Sequence, residues 1–252
     1  MPLEGTLDVS PRTVDAPVAD ALATEPVVLE RAEIMYSMFE VDASEMEDLI
    51  PPALNPTIPP VVTFLTIRAK DSQIGSFTLA QTRVGCRAGV RPRGFPTGGF
   101  IQGDSSAAGA LASRWGFALQ PGEVTLRRGF HDIVSEVCVD GRTILSVSAV
   151  DPVPLTGAEV LFASSMHLAR VRRNGDEQIR LVQMDPEFTF HRAARGSARL
   201  EAFDPQAWGD ERLTVTHPVS VWYALCDLTL PKVRYLSDPT VPALQGTEKI
   251  DG

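Results

Sequence analysis

The chain has 252 residues, of which 44% are hydrophobic and 22% charged, proportions that suit a globular protein with a core of its own. A formal net charge of −9 sets its surface against phosphate backbones, so nucleic acid is not expected as a partner. No stretch approaches the roughly 18 apolar residues of a membrane span, and residues 1–26 lack the basic-then-apolar order of a secretory signal, so a cytoplasmic protein is expected.

Residues 1–26 are rich in Pro, Asp, Ala and Thr, carry no aromatic side chain, and read as a flexible arm with a short docking helix over Val18–Thr24. A strand is expected at Ala32–Phe39. A helix is expected at Ser44–Ile50, with Asp42 as N-cap, Glu45 three residues on, and Pro51-Pro52 as its stop. The β-branched runs Val61–Lys70 and Ser76–Val84 flank a turn at Asp71-Ser72-Gln73. The Gly-, Pro- and Arg-rich run Arg87–Gly99 reads as a loop, after which Phe100–Gln102 resumes the sheet. Asp104-Ser105 caps a helix of small residues, Ser106–Arg114. Val124–Phe130, His131–Val139 and Arg142–Val150 form a meander, with Asp140-Gly141 the strongest hairpin signal in the chain. Further strands are expected at Ser165–Arg173 and Ile179–Phe190, joined at Asn174-Gly175, and at Arg195–Phe203 and Ser220–Leu230. Residues 27–240 then make one domain and 241–252 a tail. Many short strands with a few short helices predict a mostly β (α+β) fold whose sheet is closed, or nearly so, around a pocket.

Four segments, in order, resemble the acetoacetate decarboxylase family. Glu47-Asp48-Leu49-Ile50-Pro51-Pro52-Ala53-Leu54 is similar to an acidic helix that runs into a Pro-x-Pro-Leu exit. Asp104 and then Arg114-Trp115-Gly116-Phe117 are similar to the family's Asp-Asn…Gly-Arg-Glu-x-Trp-Gly-Phe-Pro-Lys-Lys signature. Arg195–Phe203 and Tyr223–Pro231 are similar to its last two strands. The resemblance covers about residues 30–238 and implies a barrel-like sheet with an enclosed pocket and a tendency to form homo-oligomers. It also implies where a Schiff-base lysine and its tuning lysine stand in relatives, and those positions hold Leu119 and Gln120 here. Phe77-Thr78-Leu79-Ala80 is similar to the stretch carrying the family's pocket glutamate, with Leu79 in its place. The chain has three lysines in all, Lys70, Lys232 and Lys249, none near that turn in sequence. An amine is nucleophilic only when neutral, which a neighbouring cation and burial favour; the resemblance therefore implies a member without imine chemistry.

Leu79 and Leu119, if they face the pocket, make it suit a larger, more apolar ligand than a four-carbon acid; the plainer alternative for Leu79 is core packing. Gln81 shares the strand face of Leu79, and Gln102 and Gln120 are expected around the same cavity, where amides orient a ligand or stabilise an oxyanion. Arg68, on an apolar strand, either faces solvent or closes the barrel mouth. Arg83, Arg87, Arg91 and Arg93 form a cluster that suits a carboxylate or, as the alternative, pairs with solvent or a neighbouring subunit. His131, beside Asp132 and near Glu136, is the acid–base candidate, although neighbours on a strand face opposite ways. His167, His191 and His217 read as structural or exposed. Trp115 and Phe117 pack beneath the turn that follows the helix and border the pocket. No two histidines have metal-ligand spacing, Cys86, Cys138 and Cys226 form no CxxC pair, and no phosphate loop, dinucleotide fingerprint or nucleophile elbow occurs, so no metal or cofactor is expected.

Two functions on a small molecule remain open on sequence, beside a third reading as a structural or regulatory subunit. One is a lyase-type enzyme (decarboxylase, dehydratase, retro-aldol enzyme or cyclase) acting without a Schiff base on an oxo- or hydroxy-substituted, fairly apolar acid or secondary-metabolite intermediate. The residues expected to act are His131, Gln120 and Gln81, with Leu79, Leu119, Gln102, Arg68, Phe117 and Trp115 binding substrate. The other is a non-catalytic small-molecule binder on the same fold. A small-molecule ligand and a homo-oligomeric partner are expected for both small-molecule readings.

Overall fold

The computed structural model describes residues 3–42 and 46–250, most of them in extended chain. In chain order the strands are β1 (Val18–Ala19), β2 (Val27–Val41), β3 (Asn55–Pro56), β4 (Val61–Ala69), β5 (Phe77–Ala88) and β6 (Arg91–Gly103). There follow β7 (Gln120–Pro121), β8 (Glu123–Arg128), β9 (Asp132–Val139), β10 (Arg142–Leu155) and β11 (Ser164–Arg173). The last are β12 (Asp176–Met184), β13 (Glu187–Phe203), β14 (Val215–Leu230), β15 (Tyr235–Ser237) and β16 (Thr247–Lys249). One long helix, α1 (Ser105–Trp115), and a single-turn helix, α2 (Ala243–Gly246), complete the regular structure together with short 3-10 turns. No helix among the described residues is long and apolar enough to cross a membrane.

The strands form one sheet in the order β16-β15-β12-β11-β6-β5-β4-β2-β14-β13-β10-β9-β8, with β1, β3 and β7 added at its sides. Most pairs are antiparallel, which short connections permit. Both strong hairpin signals have the positive φ angles such turns need: Asp140 and Gly141 at 51° and 75°, Asn174 and Gly175 at 53° and 88°. The mostly β fold matches expectation, but the ladder does not close. Instead β8 curls back over β4–β6 and is tied there by side chains. Arg68 Nη1 donates to the Leu126 carbonyl (2.5 Å), the Val124 amide donates to Gln102 Oε1 (3.0 Å), and the Thr66 and Ser135 hydroxyls meet at 2.6 Å.

The curl buries the central strands on both faces. One face packs against α1 through Leu65, Ile67, Leu79 and Trp222. The other packs inside the curl through Phe64, Ala80, Phe95 and Leu145. Helix α1 contributes Ala107, Leu111 and Trp115, four residues apart and therefore on one stripe. Burying the Leu and Trp side chains stabilises the docking by about 2 kcal/mol each.

Several local expectations are corrected. Val18–Thr24 is not a helix: Val18 and Ala19 add a parallel strand to β11. Residues 3–26, read from sequence as a flexible arm, lie against the body, with Val9, Ala16, Ala19 and Ala23 buried. Of the helix expected at Ser44–Ile50, residues 43–45 lie outside the described residues and Met46–Leu49 forms a 3-10 turn. Asp104 stands at the N-cap of α1, but its carboxylate accepts from the Ser76 amide (2.8 Å) across the sheet. The Arg87–Gly99 loop is mostly strand: a turn at Gly89-Val90, with Gly89 at φ 60°, joins β5 to β6, and the later glycines serve close approach rather than turning. A Cβ on Gly94 would lie 3.1 Å from Arg83 Cδ, and one on Gly99 would lie 2.8 Å from the Ala118 carbonyl oxygen. The single strand expected at Ile179–Phe190 breaks at Asp185-Pro186, where proline withholds a ladder donor, and β13 runs unbroken to Phe203. In the expected tail, Thr247–Lys249 pairs with β15.

Candidate active site

Alternation along β5 sends Phe77, Leu79, Gln81 and Arg83 toward the α1 side of the sheet. Arg83 ends in a small chamber, about 10 Å³, whose other walls are apolar except for Ser165 and include Ile34, Leu65, Ile67, Phe162, Met184 and Phe188. Arg83 is 3% exposed. Its Nε and Nη2 donate to Gln81 Oε1 (3.1 and 2.7 Å), and it lies 5.8 Å from the centre of the Phe162 ring. No carboxylate pairs with it among the described residues, and its Nη1 has no hydrogen-bond partner there. Gln81 Nε2 is likewise buried without a partner, whereas the buried Tyr36 hydroxyl sits beside Thr63 and the Ala163 backbone. Burial pulls the Arg83 pKa down to about 10, which leaves it charged at neutral pH, and pushes the Tyr36 hydroxyl up. Arg83 thus brings to the chamber a donor without an acceptor of full charge. Arg93 shows the contrast: equally buried, it meets Asp185 at 2.7 Å.

Ser165 also borders the chamber. Its hydroxyl lies 2.9 Å from His167 Nε2, and His167 Nδ1 lies 3.0 Å from the Trp115 carbonyl oxygen. A carbonyl only accepts, so Nδ1 carries the proton. Burial, then the Arg83 charge, lower the His167 pKa to about 3 against a small upward pull from the Trp115 carbonyl. The ring is therefore neutral, Nε2 holds a lone pair, and the Ser165 hydroxyl donates to it. His167 also stacks edge-on with Phe117, ring centres 4.2 Å apart.

On the far side of Phe117 lies an open cleft of about 620 Å³, walled by residues 11–17, by β6 around Pro96–Gly99, by α1 at Ala108 and Ala112, and by Gly116–Gln120. Leu119 is half-buried on this wall, and Ala118 and Gln120 are exposed in it. Neither the chamber nor the cleft is lined by a lysine.

The residues singled out from sequence do not converge on one cavity. Gln81 and Phe117 reach the Arg83 site, Leu119 and Gln120 line the cleft, and Leu79 is packed in the core with 1% exposure. Gln102 is exposed in a shallow groove with Arg68. Arg68 pairs with Glu33 (2.5 Å) and ties down β8, the mouth-closing alternative. Trp115 is buried under the helix end, its indole donating to the Pro231 carbonyl (2.7 Å). His131, expected as the acid–base group, is 80% exposed at the tip between β8 and β9, 4.0 Å from Asp151. Sequence reading missed Tyr36, Ser165 and His167. The i, i+2 spacing of Ser165 and His167 on one strand face was the available signal, and the same alternation from Leu79 through Gln81 leads to Arg83.

A curled, mostly antiparallel sheet with a small, largely apolar chamber beside a helix–Trp-Gly-Phe turn defines a protein of mostly β architecture. The chain belongs to the acetoacetate decarboxylase (ADC) family, whose sequence model matches residues 11–240. Among solved structures, acetoacetate decarboxylase from Legionella pneumophila superposes with a TM-score of 0.72 at 21% identity, covering 84% of this chain and 86% of that one. The enduracididine biosynthesis enzyme MppR, complexed with the condensation product of pyruvate and imidazole 4-carboxaldehyde, gives 0.64 at 17% identity over 83% and 87%. An acetoacetate decarboxylase-like enzyme from Sphingomonas wittichii RW1 gives 0.60 at 12% identity over 82% and 91%. At these identities the likeness is one of fold. No match was found among curated proteins.

Proposed function

We propose that this chain binds an apolar oxo- or hydroxy-substituted organic acid through Arg83 and acts on it as a lyase-type enzyme without forming an imine. The carrying observation is the buried guanidinium held by an amide oxygen instead of a carboxylate. Gln81 orients the fork but does not neutralise it, so the charge remains available to a ligand. In a low-dielectric chamber an arriving carboxylate or a developing enolate oxygen is attracted far more strongly than at the surface. The unpartnered Arg83 Nη1 fits one such oxygen. Cleavage next to a carbonyl places negative charge on oxygen as the bond breaks, and a fixed cation lowers that barrier. The leucines at the positions where relatives carry lysine and glutamate support chemistry that runs through such charge stabilisation. That MppR binds pyruvate adducts supports an oxo-acid as ligand class.

The test is thermal unfolding and calorimetric titration with a panel of 2-oxo, 3-oxo and 3-hydroxy acids of increasing hydrocarbon content, on the wild type and Arg83→Met. Stabilisation by acids, absent for the corresponding methyl esters and lost in Arg83→Met, is expected. Equal binding by both proteins would sink the assignment of the anchor.

A further inference from the structure

The chamber at Arg83 has room for about one water molecule, so an acid cannot enter it without displacing a wall. Phe117 is the aromatic side chain that borders both the chamber and the 620 Å³ cleft. Behind Leu119 on the cleft wall lies the pair that holds the anchor: a Cβ built on Gly99 would meet Leu119 Cδ2 at 2.8 Å and Gln81 Cγ at 3.3 Å. The partition between the two spaces is therefore one side chain thick. The cleft itself has the volume of a small-molecule site. Small residues Ala108 and Ala112 of α1, and the arm at Pro11 and Pro17, leave it open and partly apolar.

We infer that chamber and cleft are two halves of one binding path, with Phe117 as the specificity-determining partition, and that the ligand is an amphipathic acid: its carboxylate on Arg83, its apolar tail lying in the cleft between α1 and the N-terminal arm. This inference rests on the reading of Arg83 as the anchor and adds the length of the ligand and the place of its tail. Swinging the Phe117 ring aside joins the two spaces. A ligand of a few carbons ends inside the partition and does not reach the cleft, whereas a long chain crosses it.

The two are separable with a thiol placed in the cleft. Ala118 is exposed on the cleft wall, Cys86 and Cys226 are buried, and Cys138 can be removed as Cys138→Ser. In an Ala118→Cys, Cys138→Ser protein, saturating decanoate is expected to slow maleimide modification at least about tenfold, while saturating butanoate leaves the rate unchanged. Adding Arg83→Met is expected to abolish the protection. Phe117→Ala, or Phe117→Leu should the smaller residue fail to fold, is expected to speed decanoate association by about tenfold, because the ring no longer has to move. If decanoate binds in an Arg83-dependent way but leaves the thiol rate unchanged, the tail does not lie in the cleft and the inference is overturned while the anchor stands. Protection that persists in Arg83→Met shows an independent apolar site, which also overturns it. If neither acid depends on Arg83 for binding, it is the anchor reading that falls, and this inference with it.

Discussion

A guanidinium taken out of water without a carboxylate partner loses hydration worth several kcal/mol. At Arg83 that loss is only partly offset, by two hydrogen bonds to the Gln81 carbonyl and by the distant face of Phe162, with Nη1 left unpartnered. The methylenes of Arg83 pack in the space that Gly94 leaves open. Methionine keeps that packing and removes the charge. Arg83→Met is therefore expected to raise the unfolding free energy of the ligand-free protein by about 1–3 kcal/mol in urea titrations, while abolishing acid binding. A fall in stability of similar size would mean that Arg83 is a structural residue whose partners outweigh its burial. At the same scale, borohydride reduction with acetoacetate or pyruvate is expected to leave the wild type unlabelled. An imine needs a neutral amine within reach of the bound carbonyl, and Lys70, Lys232 and Lys249 line neither chamber nor cleft. A stoichiometric adduct at any of them would place the chemistry elsewhere.

Among the elements, β8 is the edge strand whose position decides whether the inner core is covered. Its ladder joins only β9, and the opposite side is held by Arg68 and Gln102. Arg68 also pairs with Glu33, whose second partner is the Tyr223 hydroxyl at 2.8 Å. Although burial alone raises the Glu33 pKa, hydrogen bonds from Arg68 and Tyr223 hold it below the usual carboxylate range. Arg68→Ala leaves a half-buried carboxylate and a carbonyl without their donor, and a loss of about 1–3 kcal/mol is expected. Amide exchange in Glu123–Arg128 is expected to quicken ahead of that in β9 and β10, and uniform exchange across the three strands would count against the closing role. Much of this architecture was legible in the chain: the Asp140-Gly141 and Asn174-Gly175 hairpins, the paired strands 61–70 and 76–84, and the small-residue helix all stand where expected. What misled were residues whose usual meaning the fold overrides. Gly94, Gly98 and Gly99 look like loop punctuation but admit neighbouring backbone and side chains in mid-strand. The site was harder to read for a related reason. With both faces of β5 buried, its pattern has no polar side to show which residues face a cavity, so Arg83 was grouped with the exposed Arg87 and Arg91 by proximity in sequence. His131 looked the better base only because the burial of His167 is invisible in the chain.

Across the whole molecule, the N-terminal arm does not need a second subunit to be ordered, since Pro17 and Val18 bond to β11 and Gly5 to the segment after the 3-10 turn at Met46–Leu49. Global stability depends instead on a group in the partition itself. His167 is neutral in the fold, with its pKa lowered to about 3 by burial and by the Arg83 charge, against the ordinary 6.5. An unfolded chain binds a proton at this ring as pH falls below 6.5, and the folded chain does not until near pH 3. In that interval the unfolded state holds more protons, so stability rises with pH. His167 thus contributes stability that is fully present above about pH 6.5 and is lost as pH falls toward the folded value, at up to about 1.4 kcal/mol per pH unit. The carboxylates with lowered pKa, among them Glu33 and Asp210, add their own loss only below the ordinary carboxylate range. Between pH 6.5 and 5 the decline therefore reports mainly on histidine. Urea titrations are expected to show a drop of about 2 kcal/mol over that interval in the wild type and a markedly flatter profile in His167→Gln, which has an amide for the Trp115 carbonyl and the Ser165 hydroxyl. Loss of the same size in His167→Gln would show that the acid sensitivity does not come from this ring. Burial is the larger cause of the lowered His167 pKa and persists when an acid neutralises Arg83, so the ring stays neutral in the complex between pH 7 and 5.5; the stabilisation given by a bound acid is therefore expected to stay constant over that range, and growth toward pH 5.5 would mean that the Arg83 charge, and not burial, keeps the ring neutral.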